Sequence, residues 1–216
     1  MNGLLFITHR TERYDDLQSV EIALEGGCRQ IQLRMKDAPA GEVEDVAHRA
    51  KALCDEYHAA LYIDDYVEIC RTVGAAGVHL GKSDMPPSEA RAMLGDGYVI
   101  GGTANTFEDI CALHGQQVNY VGLGPFRFTT TKKNLSPVLG PEGYRTILRQ
   151  CRENKIPLPV VAIGGITAAD IPDVMRTGVS GIALSSAILN AENPVEATRR
   201  IVRLVEQEFI FKQIYV

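Results

Sequence analysis

The sequence predicts an α/β chain folded as one (β/α)8 TIM barrel, and three observations predict it. Short apolar runs recur about eight times, each followed by a polar connection and then an amphipathic or alanine-rich stretch of helical length. Several of these runs, such as Val160-Val161-Ala162-Ile163, are apolar at consecutive positions, as strands of a parallel sheet buried on both faces require. No dominant glycine-rich first turn marks a doubly wound open sheet, and 216 residues suit a compact closed barrel.

In chain order the strands are expected at Leu4–Thr8, Gln30–Arg34, Leu61–Asp64, Gly77–Gly81, Tyr98–Thr103, Tyr120–Gly124, Val160–Gly164 and Gly181–Ser185, with helices in most gaps. Helix punctuation agrees: Pro86-Pro87 precedes Ser88–Leu94, Thr167 can cap a helix starting near Ala168, and Asn193-Pro194 opens the last one. Residues 1–208 make the barrel. The final stretch, 209–216, is an apolar tail suited to padding the barrel base or to pairing with a second copy in a homodimer. Residues Thr129 to Gly140 form the one extended polar loop.

A formal net charge of −5 gives no general attraction to nucleic acid or to an anionic membrane, so phosphate capture has to rest on locally placed cations. No run of about 18 uncharged apolar residues offers a membrane span. Five cysteines without C-x-x-C spacing read as reduced core residues, and no leader pattern is visible, so the expected location is the cytoplasm.

Reacting groups of barrel enzymes sit at the carboxyl ends of the strands. There the second strand places Gln32, Arg34 and Lys36 on one alternating face. The third ends in Asp64-Asp65, the fourth leads to Asp84, the fifth ends in Thr103, and the sixth leads to Thr129, Thr131 and Lys132. Two carboxylates on neighbouring tips, without a His or Cys constellation, suit a hard octahedral cation such as Mg2+. Cations and threonine hydroxyls around it suit diphosphate oxygens. Plainer readings stand beside these: Asp65 as the cap of the next helix, Lys132-Lys133 as a solvated pair, His79 as a hydrogen-bonded barrel residue. Gly164-Gly165 after the seventh strand and Ser185-Ser186 after the eighth lie where barrels often bind phosphate, though a Gly-Gly pair also makes a simple tight turn.

Gln32-Leu33-Arg34-Met35-Lys36, Gly77-Val78-His79-Leu80-Gly81 with Asp84, Gly122-Leu123-Gly124-Pro125 continuing to Thr129-Thr130-Thr131-Lys132, and Ala162-Ile163-Gly164-Gly165-Ile166, in that order, resemble the thiamine-phosphate synthase (thiamine-phosphate pyrophosphorylase) family. The resemblance spans roughly Leu4 to Val205. It implies a transferase that joins hydroxymethylpyrimidine diphosphate to hydroxyethylthiazole phosphate, forming thiamine phosphate and pyrophosphate. It also implies Mg2+ on Asp65 and Asp84, a diphosphate clamp of Arg34, Lys36 and Lys132, Gln32 on the pyrimidine, and Thr129, Thr131, Gly164, Gly165, Ser185 and Ser186 around the thiazole phosphate. The family's dissociative chemistry needs electrostatic stabilisation rather than a nucleophile.

Departures ring the pyrimidine and metal half. Asp64 stands where the family usually has Asn, Thr8-His9 where it has Thr-Asp, Lys82 for Gln, Thr103 for Ser, and Arg127-Phe128 for Phe-Pro. They keep a catalytically weak thiazole-phosphate or thiamine-phosphate binding paralogue as an alternative. A second alternative, a thiazole tautomerase, commonly carries His where Pro125 stands here.

Overall fold

The computed structural model of the chain describes residues 2–128 and 137–215. Its eight strands are β1 (Gly3–Ile7), β2 (Gln30–Leu33), β3 (Ala60–Asp64), β4 (Gly77–Leu80), β5 (Val99–Ala104), β6 (Tyr120–Leu123), β7 (Val160–Ile163) and β8 (Gly181–Leu184). All neighbours pair in parallel, and β8 returns to β1, so the sheet closes. Every expected strand is present, with ends that differ from the expected ones by at most one residue.

The connecting helices are α1 (Asp16–Glu25), α2 (Ala40–Glu56), α3 (Val67–Val73), α4 (Pro87–Leu94), α5 (Phe107–Gly115), α6 (Gly140–Glu153), α7 (Ile171–Arg176), α8 (Ser186–Leu189) and α9 (Pro194–Tyr215). Their starts follow local chemistry. Asp15 with Gln18, and Thr106 with Asp109, form reciprocal capping boxes, and Pro87 and Pro141 sit in first turns. Thr167 caps a short 3-10 turn, Ala168–Asp170, ahead of α7. Asn193 accepts from the Glu196 amide to open α9. That helix runs through Tyr215, so the expected tail is helical up to there; Phe209 packs against the core and Ile210 is exposed.

Period 2 sorts the strand residues into two layers. Outward residues such as Phe6, Ile31, Leu33, Ile63, Val78, Leu80, Ile100 and Ile182 pack under the helices. Inward residues Leu5, Ile7, Tyr62, Tyr120, Val161 and Ala183 fill the barrel axis. Tyr120 is completely buried, with its ring edge-on to Tyr62 at 6.4 Å between centroids. Gly101, opposite Tyr120 in the register, makes room for it: a Cβ there would fall inside the phenol ring. Above this apolar plug the inward positions turn polar, with Gln32, Asp64, His79 and Thr103. The plug thus closes one end of the cylinder and the polar residues line the other.

Gly101→Ala is expected to lower the unfolding free energy by about 1–3 kcal/mol, the cost of overpacking a filled core. Gly41→Ala, where an added methyl meets nothing within 4 Å, is expected to leave it unchanged or slightly raised. Denaturant titration of both variants checks this, and equal midpoints would show that the axis is not close-packed.

Candidate functional site

The polar rim is built from the ends of β2, β3 and β4. Gln32 and Arg34 project inward because they keep the alternation of β2, and the Arg34 backbone is pinned to β1 by Thr8, whose Oγ1 accepts from the Arg34 amide at 2.8 Å. Gln32 Nε2 donates to Asp64 Oδ1 at 2.6 Å, and both residues are buried. Arg34 Nε lies 3.5 Å and Lys36 Nζ 3.8 Å from Asp64 Oδ2. Lys36 also pairs directly with Asp65.

Asp65 is not the cap of the next helix. Tyr66 holds that position and makes no side-chain cap bond, while Asp65 has φ of 66° and its amide donates to the His79 carbonyl at 2.9 Å. This left-handed backbone brings the carboxylate near Asp84, in the connection after β4, so that each acid perturbs the ionisation of the other. Asp84 in turn accepts from the Gly81 amide at 2.6 Å. Burial first, then the charge of Asp64 and the bond to Asp84, push the Asp65 carboxyl up to about 7, against the pull of Lys36. Burial works on Asp84 as well, but neighbouring Asp65, the Gly81 amide and Lys36 hold it below the usual carboxylate range. Lys36 is raised despite burial by Asp65 and Asp64.

An acid pair in which one carboxyl is pushed up to about 7 is a site short of positive charge. Its donors are oxygens only, which fits Mg2+ and not a soft metal. Among the described residues no group of three or more His, Cys, Asp or Glu is arranged for a metal; two carboxylates could hold a hard cation only with water or phosphate oxygens as its other ligands.

Below the rim, His79 Nδ1 meets the Tyr120 hydroxyl at 2.9 Å and Nε2 meets Thr103 Oγ1 at 3.0 Å. This is the hydrogen-bonded barrel histidine of the plainer reading, and it orients the Thr103 hydroxyl at the fifth strand tip. Lys82 is drawn outward to Asp109 at 2.6 Å, where Asp109 already caps α5.

The second half lies on the rim after β7 and β8. Gly165, Ile166, Thr167, Ser186, Ala187, Asn190 and Ala191 line an open cavity of about 370 Å3. Gly164 and Gly165 have φ of 97° and 69°, and a Cβ on Gly165 would come within 2.9 Å of the Arg127 and Phe128 carbonyls, so the turn requires glycine. Ser185 Oγ is buried without a hydrogen-bond partner among the described residues, a polar atom left for something not of this chain's described part. Thr167 and Asn190 were not among the expected site residues. The spacing of Ser186 and Asn190, four apart on one helical face, is the signal that places Asn190 beside Ser186.

Thr129, Thr131 and Lys132 lie outside the described residues. The segment that carries them is anchored at its base: the Leu139 and Gly140 amides donate to the Pro125 and Phe126 carbonyls at 2.9 and 3.0 Å. Arg127 strengthens that base. Its guanidinium grips Asp170 through two bonds of 2.9 and 2.8 Å, reaches the Gly165 carbonyl at 3.2 Å and covers the Phe126 ring. The departure Arg127-Phe128 therefore ties the sixth-strand loop to the Gly164-Gly165 turn.

The family model described as thiamine monophosphate synthase matches residues 4–188. A thiamine-phosphate synthase of Bacteroides fragilis is 60% identical over 204 residues, 94% of this chain and 100% of the relative. One from Pyrococcus horikoshii is 37% identical over 94% of this chain and 95% of its own length. The solved thiamine phosphate pyrophosphorylase of Pyrococcus furiosus superposes with a TM-score of 0.84 at 34% identity, covering 95% of this chain and 96% of that one.

Asp170 is held down at about 2, since Arg127 and Thr167 outweigh its burial. A depressed folded value contributes stability that is present above the ordinary carboxylate value near 4 and is lost as pH falls towards 2. Asp170→Asn is expected to lower the urea midpoint at pH about 7, with the gap to wild type closing across that acid window. A gap of constant size down to the lowest pH would contradict the pairing.

Proposed function

The chain belongs to the thiamine monophosphate synthase family, and on that premise we propose that it catalyses the synthase reaction, joining hydroxymethylpyrimidine diphosphate to hydroxyethylthiazole phosphate with release of pyrophosphate. The observation that carries the reading is the convergence of Arg34, Lys36, Asp65 and Asp84 on adjacent strand tips, the charge pattern of a metal-diphosphate seat. The open cavity after β7 and β8, lined by Gly165, Thr167 and Ser186, supports a seat there for the phosphate of the second substrate.

The work of each residue follows from its charge and place. Arg34, Lys36 and Lys132 hold the diphosphate and take up charge as pyrophosphate leaves. Gln32 and Thr103 hold the pyrimidine ring over the barrel axis, next to Asp64. Asp65 and Asp84 would hold Mg2+, which would supply Lewis-acid neutralisation of the diphosphate oxygens. Thr129, Thr131, Gly164, Gly165, Ser185 and Ser186 hold the thiazole phosphate so that the ring nitrogen faces the electron-poor methylene carbon at capture distance. No nucleophilic side chain is needed, and the tip of β6 carries Pro125 rather than an acid/base residue, which disfavours an isomerase.

Small phosphorylated substrates are the partners of this reaction; neither nucleic acid nor membrane takes part. No helix among the described residues is long and apolar enough to cross a membrane. A cytoplasmic location, and a homodimer paired through the apolar end of α9, complete the proposal.

Purified protein incubated with both substrates is expected to form thiamine phosphate and pyrophosphate in equal amounts, with Mg2+ and not without it. Lys132→Ala is expected to cut turnover by about two to four orders of magnitude with little change in stability, as loss of a charge that acts on the leaving group. Product formation that ignores Mg2+, or an unaltered rate in the variant, would overturn the respective assignment.

A further inference from the structure

Because β8 pairs with β1, the loop that leaves the first strand meets the connection that leaves the eighth. Arg13, in that loop, crosses the seam: its guanidinium donates to the Ala191 carbonyl at 3.2 Å, 178 residues along the chain. Ala191 also lines the open cavity after β7 and β8, so this bond sets an arginine on the rim of the cavity. The side chain is exposed but braced. It lies over the Tyr14 ring at 5.0 Å and donates to the Tyr14 hydroxyl at 2.8 Å, while Thr11 Oγ1 accepts from the Arg13 and Tyr14 amides and fixes the turn beneath.

The residues that line the cavity carry no charge of their own, and an anion entering a neutral cavity needs a cation beside it. Two arginines reach the wall. Arg127 donates to the Gly165 carbonyl, but its charge is balanced by the two bonds to Asp170. Arg13 has a carbonyl and a phenol as partners and forms no ion pair among the described residues, although Glu12 and Glu192 stand next to Arg13 and Ala191 in the chain. At the tip of β8, Ser185 Oγ is buried without a partner among the described residues and adds a neutral polar group to the same place. We propose that Arg13 is a phosphate-binding residue that supplies positive charge to this seat, so that the cavity takes a phosphorylated thiazole in preference to its free alcohol. The proposal rests on the synthase reading given above. A guanidinium with five N–H donors keeps several for phosphate oxygens after bonding Ala191 and Tyr14, and one already held in place loses little rotamer freedom on binding.

Steady-state kinetics with hydroxymethylpyrimidine diphosphate and hydroxyethylthiazole phosphate, in wild type, Arg13→Gln and Arg13→Lys, test this. Arg13→Gln keeps a donor for the Ala191 carbonyl and removes the charge. It is expected to raise the KM for thiazole phosphate about tenfold, the worth of a charge-assisted hydrogen bond, with kcat and the KM for the pyrimidine diphosphate changed less than about twofold. Arg13→Lys, which keeps the charge without the fork of donors, is expected to fall between the two. With the free alcohol in place of the phosphate, kcat/KM is expected to be the same in all three proteins. An Arg13 that only tethers the β1 loop to Ala191 would leave Arg13→Gln like wild type. An unchanged KM for thiazole phosphate in Arg13→Gln, or an equal loss with the free alcohol, overturns the proposal while wild type still forms thiamine phosphate; a wild type that forms none sinks the synthase reading, and this proposal with it.

Discussion

The tips of β2, β3 and β4 carry Asp64, Asp65 and Asp84 against Arg34 and Lys36, and acids this crowded cannot all keep their charge without cations among them. Much of the surrounding structure answers that demand. Lys36 bridges two of the acids, Gly81 donates its amide to the third, and the Asp65 carboxyl, raised to about 7, makes up the deficit. On the proposed reading a divalent cation with a diphosphate would meet the same need better, because it would bring positive charge to the acids and negative charge to the arginine and lysine in a single event. The site in its free state is thus poised for a ligand of mixed sign.

That crowding is possible only because the barrel beneath it is closed and stiff. Tyr120 seals the axis, Gly101 accommodates its ring, and the chain from Tyr120 through His79 to Thr103 transmits fixed geometry to the floor of the site. On the other arc of the rim the same economy is visible. Arg127, gripping Asp170 and the Gly165 carbonyl, joins the base of the sixth-strand loop to the cradle after β7, so that the segment bearing Thr129, Thr131 and Lys132 springs from a braced root.

The barrel was legible in the sequence because burial on both faces forces continuous apolar runs, and eight of them leave no open edge to explain. The rim was legible for a similar reason: the pleat fixes which side chains share a face, so Gln32 and Arg34 could be grouped from the sequence, whereas Lys36 lies in the turn beyond β2 and reaches the acids from there. What was not legible depends on distance along the chain or on backbone conformation. Arg127 and Asp170 lie 43 residues apart, and nothing local in either announces the other. Asp65 reads locally as a cap, and only its positive φ sends the carboxylate to Asp84 instead. Thr167 was read as a cap, which it is, while its place in the cavity wall follows from the short α8 opposite.

The central claim is that Asp65 and Asp84 on one side and Arg34 and Lys36 on the other form one seat for a metal-bound diphosphate. Calorimetric titration of pyrophosphate into the protein, with Mg2+ and again with K+ alone, tests it most directly. The account predicts binding at least about tenfold tighter with Mg2+, since otherwise the acids repel the anion that the cations attract. Equal affinity in the two buffers would contradict it.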